Sequence, residues 1–247
     1  MKNKTLIYFF SVLMSLVLIA FAENQKKFKN DNKKDQKYCP LCSMNLKMFW
    51  KTTHWLTFSD EKKVGYCSIH CASKEYKKRG IDIYKWEVVD YDTKKIVNAY
   101  NSYFLIGSNL PGTMTPVSKL AFASQNTVKT YQKKYGGIVG KFDDALNKAL
   151  EGMGDDLSMI KKNMSKMSLY GKKLSEKYKC FHCHGKDGSG GKAIAWNSMK
   201  FQEKMKNRVI IKERITGFPH EKEKFQDTIS EKELHSIVIY IWTKRLK

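Results

Sequence analysis

A chain of 247 residues has room for one or two domains. Its 42% hydrophobic content excludes an intrinsically disordered protein, and its 46 Lys and Arg against 24 Asp and Glu exclude an acidic, solvating one. A net charge of +22 would by itself suggest a nucleic-acid partner, but the N-terminus argues for another compartment. Lys2 and Lys4 precede an apolar run from Leu6 to Ala22 that ends Ala20-Phe21-Ala22, the small-x-small pattern of a cleaved export signal. The run falls short of the roughly 20 residues of a comfortable spanning helix, so residues 1–22 read as a signal peptide rather than a retained N-terminal membrane anchor. The mature chain is expected in the periplasm, where genomic DNA is no partner. Its lysines then serve as a solvated surface, or as a footprint for an acidic partner or peripheral contact with an anionic membrane.

Residues 23–37 are Lys-, Asn- and Asp-rich and read as a flexible leader. A first domain follows over 38–151 with an α+β pattern. HWLTF alternates, with Trp55 and Thr57 on one face and Leu56 and Phe58 on the other, as in a strand. VGYCSIHCASKEYKKRG gives a short strand and a helix from about Ser68 that Gly80 ends. YKWEVVDYDTKKIVNAYNSYFLIG gives two strands across a DTKK turn. KLAFASQNTVKTYQKKYGG gives strand, junction and helix, and FDDALNKALEG a last short helix. WLTF…EYKKRG and KLAF…YQKKYGG look like two versions of one strand-turn-helix unit, so the domain is expected to have two related halves. GMGDDLSMIKKNMSKM, 152–167, shows poor periodicity and reads as a linker. Residues 168–247 form a second, small all-α domain. It closes on a helix capped by Ser230 and Glu233, with Leu234, Ile237, Val238, Ile241 and Trp242 in one stripe.

The six cysteines fall in close pairs at 39/42, 67/71 and 180/183, a spacing suited to metal or haem sites rather than a disulfide framework. Cys180-Phe181-His182-Cys183-His184 is the C-x-x-C-H attachment signature of covalent haem c, with His184 as proximal ligand. The competing readings are a redox dithiol or half a zinc site. Gly171, CFHCHGKDGSGG and the last helix with Tyr240 resemble the class I cytochrome c family. That resemblance implies a sixth ligand, usually Met, shortly before the last helix. Here GFPHEKEKF puts Phe218 at that place and His220 beside it as the candidate sixth ligand; Met199 and Met205 come too early. His182 and His235 are not expected to be ligands.

CPLCSM offers two thiols and a thioether, and Cys67-Ser68-Ile69-His70-Cys71 two more thiols and an imidazole. One reading joins Cys39, Cys42, Cys67 and Cys71 in a four-cysteine zinc site. The other places Cu(I) at Cys42 and Met44, a soft donor set, and leaves Cys67 and Cys71 as a second metal site or a disulfide. CPLCSM, KKVGYCSIHCASKEY, VVDYDTKKIVNAYNSYFLIGS, PGTMTPVSKLAFAS and KKYGGIVGKFDDAL, in that order, resemble the NosL family, accessory proteins of nitrous oxide reductase maturation. The resemblance implies two ββαβ-like halves and Cu(I) carried to the reductase. It also implies copper ligands Cys42, Met44 and Met114, with Cys39 as an exchange ligand. Ser43 stands where the family usually has Gly, and the lipid-bearing Cys of the family is absent. The whole chain then reads as a NosL-like domain fused to a class I cytochrome c domain, a metallochaperone and electron carrier rather than an enzyme. Its expected partners are nitrous oxide reductase or its maturation machinery, haem-attachment machinery and a redox partner. The alternatives are an electron-transfer cytochrome with a zinc-stabilised or docking N-terminal module, and a five-coordinate haem that reacts with peroxide or a small gas.

Overall fold

The structure, a computed structural model, describes residues 36–245. The expected signal peptide and nearly all of the expected leader lie outside them. Among the described residues no helix is long and apolar enough to cross a membrane.

The first half of the chain builds two small antiparallel sheets. Strands β1 (His54–Phe58) and β2 (Lys63–Tyr66) form a hairpin, helix α1 (Ile69–Arg79) crosses back, and β3 (Ile83–Val89) pairs on the other side of β1. A short β4 (Ile96–Asn98) extends the edge, giving the order β2-β1-β3-β4. The second sheet repeats the plan: hairpin β5 (Tyr103–Ile106) and β6 (Lys119–Phe122), helix α2 (Gln125–Tyr135), then β7 (Ile138–Lys141) beside β5. Its order β6-β5-β7 matches β2-β1-β3, so each half is a ββαβ unit with its first strand in the middle.

The duplication corrects one expected correspondence. KLAF is the second strand of its unit and therefore the counterpart of KVGY, not of WLTF, whose partner is YFLI. Both KLAF and WLTF are short apolar strands, so composition alone cannot tell a central strand from an edge one. YFLI was also merged with IVNAY in the sequence reading, because no Gly or Pro separates them.

Helix α3 (Phe142–Glu151) packs on α1 and on β5 and β7, and its Phe142, Ala145, Leu146 and Ala149 join Leu56, Phe58 and Trp86 in one core, with the Phe142 and Trp86 rings 4.9 Å apart. As the alternation in HWLTF predicts, Leu56 and Phe58 are buried. His54 is buried too, and the Trp86 indole N–H donates to its Nδ1 at 2.9 Å. That bond requires a neutral imidazole, and burial pushes the His54 pKa down to about 3.

The segment expected as a linker is helical. Helix α4 (Met153–Lys177) runs 25 residues without a break across it. Asp156, Ile160, Met164, Met167, Gly171 and Leu174 recur every three to four residues along one side and are all partly or fully buried. The pattern was hard to see because methionine, glycine and aspartate fill positions where Leu or Ile would mark a helix face. Helix α4 packs along the last helix, α9 (Glu231–Arg245). Between them in sequence lie α5 (Cys180–His184), α6 (Met199–Lys204), α7 (Arg208–Thr216) and α8 (Phe225–Thr228). The Ser230–Glu233 capping box is present, with Glu233 N–H donating to Ser230 Oγ at 3.3 Å and Ser230 N–H to the Glu233 carboxylate at 3.1 Å. Helix α9 buries more than the expected stripe: Ser236, Ile239 and Tyr240 are enclosed as well. A helix apolar nearly all round is one packed on several sides. From Lys37 onward both halves belong to one compact unit.

Gly171 marks the closest approach of α4 and α9. A Cβ there would overlap the Ser236 carbonyl, which is backbone and cannot move aside. Gly171→Ala is therefore expected to lower stability by about 1–3 kcal/mol, the usual range for overpacking, read as a drop in the urea midpoint. A second expectation concerns acid. The folded pKa of His54 lies below its unfolded value, so its contribution is complete above about pH 6.5 and falls as pH drops toward the folded value. Between pH 7 and pH 5 this one group should cost about 2 kcal/mol. His54→Gln, which can still accept from Trp86, should flatten that part of the stability–pH curve, measured by denaturant titration at each pH.

Candidate metal centre

The CPLCSM turn begins as the chain enters the first domain. Tyr38 and Asn45 bridge its base, Cys39 N–H donates to the Met44 carbonyl at 2.9 Å and Ser43 N–H to the Cys39 carbonyl at 2.9 Å. Ser43 has φ 61°, a left-handed conformation that glycine adopts most easily. The Ser43 hydroxyl donates to the Cys42 carbonyl at 2.6 Å. The other two thiols come from the β2–α1 junction. Cys67 follows the last residue of β2, Ser68 is the N-cap of α1, and Cys71 sits in the first turn. Cys67 thus stands just ahead of the N-cap and Cys71 inside the helix, and the extended Ser68 between them lets both sulfurs gather at the helix N-terminus.

Turn and junction meet inside the hydrophobic core. Cys39, Cys42, Cys67 and Cys71 are all buried, and their sulfurs lie within 4.8 Å of one another. Cys42 Sγ is 3.3 Å from Cys67 Sγ, and Cys67 Sγ is 3.8 Å from Cys71 Sγ. All six cysteines are free. The expected separate fate of Cys67 and Cys71, a second metal or a disulfide, gives way to one shared four-thiol centre. S–H donation from the other three thiols holds Cys39 well below the ordinary thiol range, whereas burial and the neighbouring sulfurs push Cys67 and Cys71 up. About 2.3 Å bonds from a tetrahedral metal imply S···S edges of about 3.8 Å, the separation of Cys67 and Cys71; the Cys42–Cys67 pair, at 3.3 Å, is shorter.

Cys42 has a second neighbourhood. With Met44 and Met114 it lines a cavity of about 230 Å³. Met114 has φ 60° on a loop that Thr52 holds in place by donating to Thr113 Oγ1 at 2.8 Å. The expected copper residues Cys42, Met44 and Met114 therefore border one space, while Cys39 lies on the thiol side of Cys42.

The C-terminal half grips this region. The Arg208 guanidinium donates to the Leu41 carbonyl, and Lys212 Nζ reaches the Ser43 carbonyl at 3.4 Å. Lys212 is buried, paired with Glu231 at 2.7 Å and stacked 4.1 Å from the Tyr38 ring centroid. Buried His70, next to Cys71, meets buried Asp156 of α4 at 2.6 Å. None of these cross-contacts was visible in the sequence, because each partner stands more than 80 residues from the other.

CFHCH forms α5, with Cys180 partly buried and His182 and Cys183 exposed. The Nδ1 of His184 lies 3.1 Å from the Ile194 carbonyl, and the Nδ1 of His220 lies 2.8 Å from the Arg214 carbonyl. Each imidazole that donates Nδ1–H to a carbonyl keeps the lone pair on Nε2. The two ring centroids are 6.1 Å apart. A cavity of about 760 Å³ touches Cys180, Cys183, His184, His220, Trp196 and Ile237. Met199 is 78% exposed and plays no part in it.

A duplicated ββαβ domain with a buried four-thiol centre is what these elements define. A model of the NosL family matches residues 32–150, ending ahead of α4 and CFHCH. Among solved structures, the crystal structure of the copper chaperone NosL from Shewanella denitrificans is similar at 19% identity, over 44% of this chain and 90% of that one, with a TM-score of 0.38. No curated protein matches the chain.

Removing one thiol leaves a three-sulfur set in the core. Cys71→Ser should weaken binding of Cd(II), a thiolate-seeking probe, by about tenfold or more, read from its ligand-to-metal absorption in the ultraviolet. Unchanged Cd(II) absorption would separate Cys71 from the centre.

Proposed function

We propose that this chain is an exported Cu(I)-handling accessory protein that serves nitrous oxide reductase maturation and carries one covalent haem c. The observation that carries the copper part is the double position of Cys42, a member of the four-thiol centre and also a wall of the Met44/Met114 cavity. Thiolates and thioethers are the soft donors that suit Cu(I). An ion held by Cys39 and Cys42 on one side can be taken up by Cys42, Met44 and Met114 on the other by exchanging one ligand at a time. The family match over 32–150 supports this reading and links it to the reductase.

The C-terminal half fits haem c. Cys180 and Cys183 stand at the edge of the larger cavity, ready for thioether links, and His184 is oriented by the Ile194 carbonyl. Burial lowers the His184 pKa, which favours the neutral, ligating imidazole. His220 would hold the other side of the iron: two imidazoles that share a metal at bonds of about 2 Å have ring centroids about 6 Å apart, and these two rings lie 6.1 Å apart. Bound there, haem supplies one-electron chemistry at a potential lower than His/Met ligation would give. Its electron would keep copper or the thiols reduced in an oxidising compartment.

A second reading, a zinc-stabilised docking module on an electron-transfer cytochrome, is favoured by the near-tetrahedral sulfur spacing alone. Metal analysis of the exported full-length protein, produced with haem-attachment machinery, separates the two. One covalent iron per chain together with stoichiometric Cu(I) uptake is expected. Full zinc occupancy that Cu(I) does not displace would sink the copper part, and loss of all haem on denaturing gels the haem part. His220→Ala should convert a six-coordinate low-spin absorption spectrum to a high-spin one; an unchanged spectrum would remove His220 as ligand.

A further inference from the structure

The cavity beside Cys42 has a far wall that belongs to the C-terminal half. Helix α4 supplies Met159, Met164 and Met167, and α9 supplies His235. Met159, Asn163 and Met167 are spaced i, i+4, i+8, with Ile160 and Met164 one step on, so the segment first read as a linker presents its thioethers on one helix face. Five methionines around one 230 Å³ space are far more than filling it requires, and three come from a helix outside the family match.

His235 adds an independent observation. Its Nδ1 is buried and has no hydrogen-bond partner among the described residues. An imidazole nitrogen enclosed in this way is costly unless something satisfies it. Burial, with Lys212 and Arg208 nearby, keeps the ring neutral, the form in which a nitrogen can ligate. The charges facing the cavity also select among metals. Arg208 lines it with its guanidinium held by the Leu41 carbonyl, and Lys212 stands close by, paired with Glu231. With Lys212 neutralised by Glu231, the Arg208 charge remains, and it penalises a divalent ion twice as much as a monovalent one. Thioether and imidazole donors without a carboxylate point the same way.

We propose that His235 and the α4 methionines Met159, Met164 and Met167 form a second soft-metal site that takes Cu(I), across the cavity from Cys42. This rests on the copper reading above and deepens it: the C-terminal half takes part in copper handling as well as bearing haem. Cu(I) leaving the thiol centre is received on this wall and held by neutral donors, from which a partner with thiolates or imidazoles can remove it.

The test is anaerobic equilibrium dialysis of the full-length haem-loaded protein against buffered Cu(I). Copper K-edge absorption then reports sulfur and nitrogen ligands. Wild type should bind a tighter, sulfur-only class and a weaker class with one nitrogen. His235→Gln should remove the nitrogen signal and weaken the second class by about tenfold or more. Met159→Leu/Met164→Leu/Met167→Leu, close to volume-conserving, should weaken it likewise while the first class and the haem spectrum stay unchanged. Should His235→Gln fail to fold, the methionine variant still decides. If wild type binds a single class that neither variant alters, the second site is overturned and the copper reading stands. If wild type binds no Cu(I), both fall.

Discussion

The buried carbonyls of the CPLCSM turn set the terms for the rest of the molecule. A turn that puts its thiols into the core also takes its backbone out of water, and each stranded carbonyl needs a donor. Arg208 and Lys212 provide two of them, at Leu41 and Ser43. A buried lysine is itself tolerable only when paired, which Glu231 and the Tyr38 ring accomplish. The chain of dependence runs from a sulfur site in one half to an ion pair in the other. This is why residues from Lys37 onward behave as one body although their composition suggests two domains.

Duplication explains where the thiols sit. Both halves turn from their second strand into a helix through a serine N-cap, Ser68 in the first and Ser124 in the second. In the first unit the flanking positions are Cys67 and Cys71; in the second, Ala123 and Thr127 occupy them. The second junction is held instead by Asp90, whose carboxylate accepts from Ala123 N–H at 2.6 Å and from Thr93 N–H at 2.7 Å. One copy of the unit carries the paired thiols and the other, through the Met114 loop ahead of β6, supplies the neighbouring thioether.

Much of this was legible in the residues. Alternation in HWLTF, the serine junctions and the Ser230–Glu233 cap identified strands and helix starts, because local hydrogen bonding and burial dictate them. CPLCSM and CFHCH marked two of the places where thiols and imidazoles gather. What escaped was non-local. Whether Cys67 and Cys71 join Cys39 and Cys42 depends on how a hairpin and a turn fold together, and no spacing records that. His235 looked like an ordinary helix residue, and its orphaned Nδ1 exists only once α9 packs against α4. Met159, Met164 and Met167 were discounted because unbranched, flexible side chains between lysines resemble a linker.

Helix α7 reaches both the thiol turn and His220. Its first turn carries Arg208, and Lys212 one turn later; both hold the CPLCSM carbonyls. Its last turn presents the Arg214 carbonyl that orients the His220 ring. Nine residues of helix are a stiff rod of about 13 Å. Such a rod does not absorb displacement; it passes it on. The donors to the sulfur turn stand at one end of this rod, and the carbonyl that meets the His220 imidazole at the other. The molecule thus has the form of a balance beam, with the thiol turn on one arm and His220 on the other.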